Sequence, residues 1–147
     1  MAKKARTRGI AEFVLDGSLA LAWYFVDEAN PYADAVAARF PAARAIVPLI
    51  WPLEVANAVL MGERRQRSSE AQAAKWLTYL AFLPIGVDDD TNDRAWGEVL
   101  SLARAHRLSA YDAAYLELAL RRGLPLATLD DKLKAAASTV GVPAFAP

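Results

Sequence analysis

Glu12-Phe13-Val14-Leu15-Asp16-Gly17-Ser18 is the stretch on which the fold turns. Three adjacent apolar residues run into an acid and then a Gly-Ser pair, the pattern of a short buried strand that stops at a turn. The same grammar returns near the other end, where Leu124 to Leu129 leads into Asp130. Between them, Ala45 to Pro48 and Leu83 to Val87 read as further strands, and Val142 to Phe145 as a last one. Helices are predicted over Leu19–Phe25, over Tyr32–Phe40 behind Pro31, and from Pro52 to about Arg67. Another runs from Ser69 to about Leu80, and the polar run Asp88–Asp93 opens one that extends to about His106. Two more cover Ser109 to Gly123 and Asp130 to Ala137. Short apolar strands alternating with helices imply an α/β fold whose largely parallel sheet is covered on both faces. In such sheets ligands bind beyond the carboxyl ends of the strands, so acids placed there carry the functional information.

The composition allows this and excludes much else. A chain of 147 residues, 55% hydrophobic and 23% charged, suffices for one domain with its own core. There is no cysteine, which removes disulfides, thiolate nucleophiles and cysteine zinc sites and favours a cytoplasmic home. Seventeen basic residues balance seventeen acidic ones, so any contact with a polyanion must come from local patches. No apolar run approaches the ~20 residues needed to cross a bilayer, and no membrane partner is expected. Residues 1–11 form a basic leader carrying Lys3, Lys4, Arg6 and Arg8, read as an expression remnant, a mobile tail or an RNA contact, and residues 12–147 form the domain.

Asp16 and Asp130 should both end buried strands at one edge of the sheet. Glu54 interrupts the apolar stretch Val47–Ala56, and Asp112 interrupts Ala110–Ala114. Each alone has a structural explanation: Ser109 stands at capping-box spacing before Asp112, Glu54 complements a helix dipole, and Asp130 suits an N-cap. Four carboxylates at one partly buried edge are another matter, because they repel unless protonated or neutralised by a cation. All-oxygen ligands in a chain with a single histidine point to magnesium or manganese rather than zinc, and to chemistry on a phosphate ester.

In Val14–Ser18, Pro52–Asn57, Leu108–Ala119 and Leu126–Asp130, taken in order, the sequence resembles the PIN-domain nucleases, and among them the VapC-type toxins of toxin–antitoxin pairs. Tyr111-Asp112-Ala113 is the most specific block. The resemblance implies a PIN-like three-layer α/β/α fold over residues 12–147 and a Mg²⁺- or Mn²⁺-dependent endoribonuclease. Asp16, Glu54, Asp112 and Asp130 would be both the metal and the catalytic residues, supported by Ser18, Asn57, Thr128 and Asp131. Metal-activated water would attack the RNA phosphodiester without a protein nucleophile. A cognate antitoxin protein and a homodimer are the further partners implied. Gly17 departs from the family pattern, standing where another small residue is usual.

Two alternatives stay open at this level. One is a catalytically silent PIN-like module that binds RNA or protein; the other is a phosphatase using Asp16 as nucleophile, although its expected second aspartate is Ser18 here. Arg64, Arg65 and Arg67 are candidate RNA contacts, though they and the Arg121-Arg122 pair also sit where cations favour a helix dipole. His106 is expected to face solvent at a helix end. Trp23, Tyr24, Phe25, Trp76, Tyr79 and Phe82 are mostly core, with some left for an interface.

Overall fold

The computed structural model describes residues 9–147. Lys3, Lys4, Arg6 and Arg8 of the basic leader lie outside them.

Four strands form one sheet in the order β3-β2-β1-β4, parallel throughout, where β1 is Ala11–Leu15, β2 Ala43–Pro48, β3 Ile85–Asp88 and β4 Leu126–Ala127. Phe13, Val14 and Leu15 are fully buried because β1 is central, with Val14 facing Ile46 on one side and Leu126 on the other. This continuous apolar run is what a parallel strand covered on both faces requires. Helices flank the sheet: α1 (Gly17–Ala22), α2 (Pro31–Ala37), α3 (Trp51–Arg64), α4 (Glu70–Phe82), α5 (Thr91–Arg94), α6 (Leu100–His106), α7 (Ala110–Arg122) and α8 (Asp131–Thr139). The α/β class and its parallel sheet are as the sequence implies.

Local chemistry explains most boundaries. Asn30 caps α2 by accepting the Tyr32 and Ala33 N–H groups, with Pro31 at the first helical position. Ser69 and Gln72 complete a capping box at the start of α4. Gly123 ends α7 in the left-handed conformation at φ +63°. The α3 helix passes so near α1's end that a Cβ on Gly62 would stand 2.6 Å from Phe25 Cε1, and Arg67 stacks on the outer face of the same ring at 4.0 Å.

Three expectations need correction. Asp88 does not open a helix; it closes β3, and the helix begins at Thr91. The continuous helix expected up to His106 is divided by a π-helical segment, Ala95–Val99, that contains Gly97 and leaves Trp96 93% exposed. At the chain's far end, β4 keeps only two residues and the expected last strand is a single bridge, Leu126 to Ala144. Pro125 and Pro143 flank these segments and cannot donate to a ladder, which limits the pairing. Three contacts secure the tail there: Leu126 N–H donates to Pro143 O and Phe145 N–H to Leu126 O, both at 3.0 Å, and the Phe145 ring stacks on Phe13 with centroids 4.1 Å apart.

Candidate active site

Asp16 directly follows β1 and its residue is only 5% exposed, so its carboxylate is held in place rather than left to solvent. Ser18 Oγ donates to Asp16 Oδ2 at 2.6 Å and Thr128 Oγ1 donates to the same oxygen at 2.7 Å. Both donors fall on Oδ2, leaving Oδ1 without a protein donor among the described residues. The two hydroxyls also knit the loops after β1 and β4 together. Leu129 N–H donates to Ser18 Oγ at 3.2 Å, and Asp130 N–H to Thr128 Oγ1 at 3.0 Å. Ser18 and Thr128 are thus both hydrogen-bonded to the Asp16 carboxylate.

Glu54 lies in the first turn of α3, where the helix dipole favours a negative charge. The fully buried Tyr115 donates its hydroxyl to Glu54 Oε1 at 2.8 Å. Nothing in the spacing of the motifs singled out Tyr115, since an aromatic inside α7 reads as ordinary core. Asp112 sits in the first turn of α7, and Ser109 Oγ accepts its N–H at 3.1 Å without the reciprocal half of a capping box. Asp130 caps α8 by accepting the Leu133 N–H at 2.8 Å, so the structural role foreseen for it is filled alongside any other. Asn57 lies one turn beyond Glu54 and is exposed. Asp131 is fully exposed and faces Lys134 at 4.0 Å.

The four acids are electrostatically one group. Burial pushes the Asp16 carboxyl up from its ordinary range, the two hydroxyl donors oppose this, and the charges of Asp112 and Asp130 add to the rise. Glu54 is raised by burial, held back by Tyr115 and raised again by Asp16 and Asp112. Asp112 is raised by burial and by Asp130, against Ser109 and Lys132. Burial and the neighbouring Asp16 and Glu54 charges push the Tyr115 hydroxyl far up, so it stays a donor. Among the described residues none of the four acids has a lysine or arginine in ion-pair contact. Nor do three of their carboxylates converge at a single point able to hold an ion. By their chemistry alone, four carboxylates are the oxygen donors a hard divalent cation takes, and such an ion would relieve their mutual repulsion and complete its shell with waters.

Elsewhere the acids do have cations. Asp88 and Glu117 are buried, and Arg121 forks onto both, at 3.1 and 2.6 Å to Asp88 and at 2.8 Å through Nε to Glu117. Arg121 was expected to serve the dipole of α7; it also makes this buried pairing. The arginines proposed as RNA contacts stand away from the acids. Arg64 and Arg65 end α3, about 15 Å along the axis from Glu54, and Arg67 is engaged by Asp27 at 2.9 Å and Glu28 at 3.6 Å.

No curated protein matches the chain. Among solved structures, the crystal structure of PAE2754 from Pyrobaculum aerophilum is similar, with a TM-score of 0.64 and 23% identity over 87% of this chain and 86% of that one, which shows a shared fold. The PIN domain family model matches residues 13–138. PIN domains are in general nucleases that use divalent metals and bind RNA. The matched span begins in β1, ends in α8 and contains Asp16, Glu54, Asp112 and Asp130, and the chain belongs to the PIN domain family.

Proposed function

We propose that this chain is a Mg²⁺- or Mn²⁺-dependent endoribonuclease. The observation that carries the reading is the buried Asp16 carboxylate, fixed by Ser18 and Thr128 and electrostatically coupled to Glu54, Asp112 and Asp130, with no lysine or arginine ion-paired to any of the four among the described residues. Asp16, Glu54, Asp112 and Asp130 would hold the ion, which when bound lowers the pKa of water and offsets charge on phosphoryl oxygens. The chain's own part is positioning. Ser18 and Thr128 keep Asp16 oriented, Tyr115 keeps Glu54 oriented, and Asp130 is fixed by its bond to the start of α8.

The test is RNA cleavage by the purified protein. Magnesium should support it, a chelator should stop it and manganese should restore it, whereas Asp16→Ala should abolish it while the fold survives. Cleavage retained by a folded Asp16→Ala protein, or rescue by zinc alone, would sink the assignment.

Within this reading the enzyme acts as the toxin of a toxin–antitoxin pair. Support comes from a surface cavity of about 790 Å³ lined by Trp23, Tyr24, Val26, Trp76 and Tyr79, an aromatic surface suited to a protein segment. Tyr79 is 47% and Val26 92% exposed, so the apolar rim is open. A homodimer is expected in solution; a strictly monomeric mass across the micromolar range would count against it.

A further inference from the structure

A second cavity, of about 340 Å³, lies between the turn joining α6 to α7 and one face of α8. His106 and Arg107 line one wall, and Lys132, Ala135, Ala136 and Thr139 the other. On α8 the four residues recur at helical spacing, with the cation at the end next to Asp130 and two alanines leaving space along the floor. All the side chains here that ionise are basic. Among the described residues none of His106, Arg107 and Lys132 is in an ion pair, unlike Arg67, Arg94, Arg121 and Arg122. Arg107 and Lys132, both unpaired among the described residues, leave a local positive potential around one hollow in a chain of zero net charge.

Two further observations give this hollow a direction. Lys132 stands in the first turn of α8, the helix that Asp130 caps, so the basic hollow adjoins the acidic site. Arg107 holds a left-handed conformation at φ +55°, where Leu108 N–H closes the end of α6 onto Ala103 O at 3.0 Å. Glycine suits that backbone best, so the arginine that lines the cavity here carries a conformational cost.

We infer that this cavity is a phosphate subsite for the RNA strand, receiving a backbone phosphodiester next to the one at the acids, with Arg107 and Lys132 as its principal contacts and His106 beside them. The inference rests on the ribonuclease reading and adds to it where the strand runs: from the acids across the start of α8 toward the α6–α7 turn. Arginine offers a fork to two phosphate oxygens, and lysine a point charge. Acids alone would repel the flanking phosphates of a polyanion, so a basic track beside them is what lets the strand lie across the site.

The test is binding of a short labelled oligoribonucleotide to the full chain in EDTA, over a series of salt concentrations, for the parent, Arg107→Gly, Lys132→Gln and the double variant. Arg107→Gly relieves the backbone, so its Tm should be unchanged or higher while its RNA affinity falls. Each single variant should weaken binding about threefold to tenfold and lower the slope of log K against log salt by about 0.7, the value for one single-strand phosphate. In magnesium the same variants should raise KM and leave kcat near the parent's. Unchanged affinity and slope in a folded double variant would overturn the subsite. So would a slope that falls only when Arg64 and Arg65 are replaced, or displacement of RNA by inorganic phosphate at equal concentration, which would mark a small-anion site. A parent that binds with this slope but never cuts RNA in magnesium would refute the nuclease reading alone. A parent that cuts while the double variant keeps its KM would refute the subsite alone.

Discussion

Thr128 reaches across 112 residues of sequence to donate its hydroxyl to Asp16 at 2.7 Å, and the same oxygen accepts the N–H of Asp130. One buried hydroxyl thereby orients two of the four acids, which ties the geometry of the site to the pairing of β1 with β4.

Thr128→Val tests that tie. Valine keeps the shape and loses the donor and acceptor, leaving a buried Asp130 N–H and an Asp16 oxygen short of a partner. The expected cost is about 1–3 kcal/mol of stability, with cleavage in magnesium reduced about 10- to 100-fold, as for lost partners of metal ligands. Urea denaturation and cleavage rate measure the two effects. Parent-like turnover would show that Ser18 alone suffices.

Asp112→Asn separates a helix-start role from an ionic one. The carboxyl of Asp112 is raised, so at neutral pH its ionised form opposes folding, an effect relieved as pH falls through the raised value. Asparagine removes that charge. Without metal the variant should melt at the parent's temperature or above it, while the stabilisation by magnesium shrinks and cleavage falls by orders of magnitude. Near-normal turnover with an unchanged magnesium shift would return Asp112 to a purely structural place.

Asp88 gives the opposite sign. The Arg121 hydrogen bonds hold its carboxyl below the usual range against the effect of burial. Stability from this pair is therefore fully present above the unfolded value, about pH 4, and is lost as pH falls through the lower folded one. Asp88→Asn should cost about 2–3 kcal/mol at pH 7, and the gap to the parent should close in acid. A pH series of denaturation midpoints checks it; a gap constant down to pH 2 would assign the loss to packing.

Gly62 and Gly17 should respond differently to alanine. At Gly62 the new methyl would meet the Phe25 ring at 2.6 Å, and that ring is backed by Arg67, so the expected loss is about 1–3 kcal/mol. At Gly17 the nearest atom is Tyr115 Oη at 3.7 Å, an ordinary contact, and alanine favours the helix it begins. Gly17→Ala should leave stability and activity near the parent's, which would show that Gly17 is a tolerated departure from the family pattern. Melting temperatures of the two variants, measured together, decide both.

The strand-then-acid pattern was readable at Asp16 and Asp130 because burial on both faces leaves strands without polar alternation, so the first acid stands out. Glu54 and Asp112 were readable because each breaks an apolar run. What the sequence hid were partners distant along the chain. Tyr115 and Glu54 lie 61 residues apart, and Asp88 and Arg121 lie 33 apart, and each has a sufficient local explanation as core, dipole or helix start. The π-helical segment was hidden for a different reason. Ala95–Val99 lies inside a longer helical run, and a shift to π bonding leaves no mark in the spacing of apolar residues.

The short β4 and the tail that secures it have a consequence in time. A polypeptide leaves the ribosome N-terminus first, so Asp16 emerges early and waits for Thr128 and Asp130. Those two join it when β4 pairs with β1, a short pairing that Pro143 to Phe145 brace through Leu126 and Phe13. A nascent chain therefore has its first acid exposed to the cell well before it has a site. The site is therefore complete only once residues 112 positions apart in sequence have both been made.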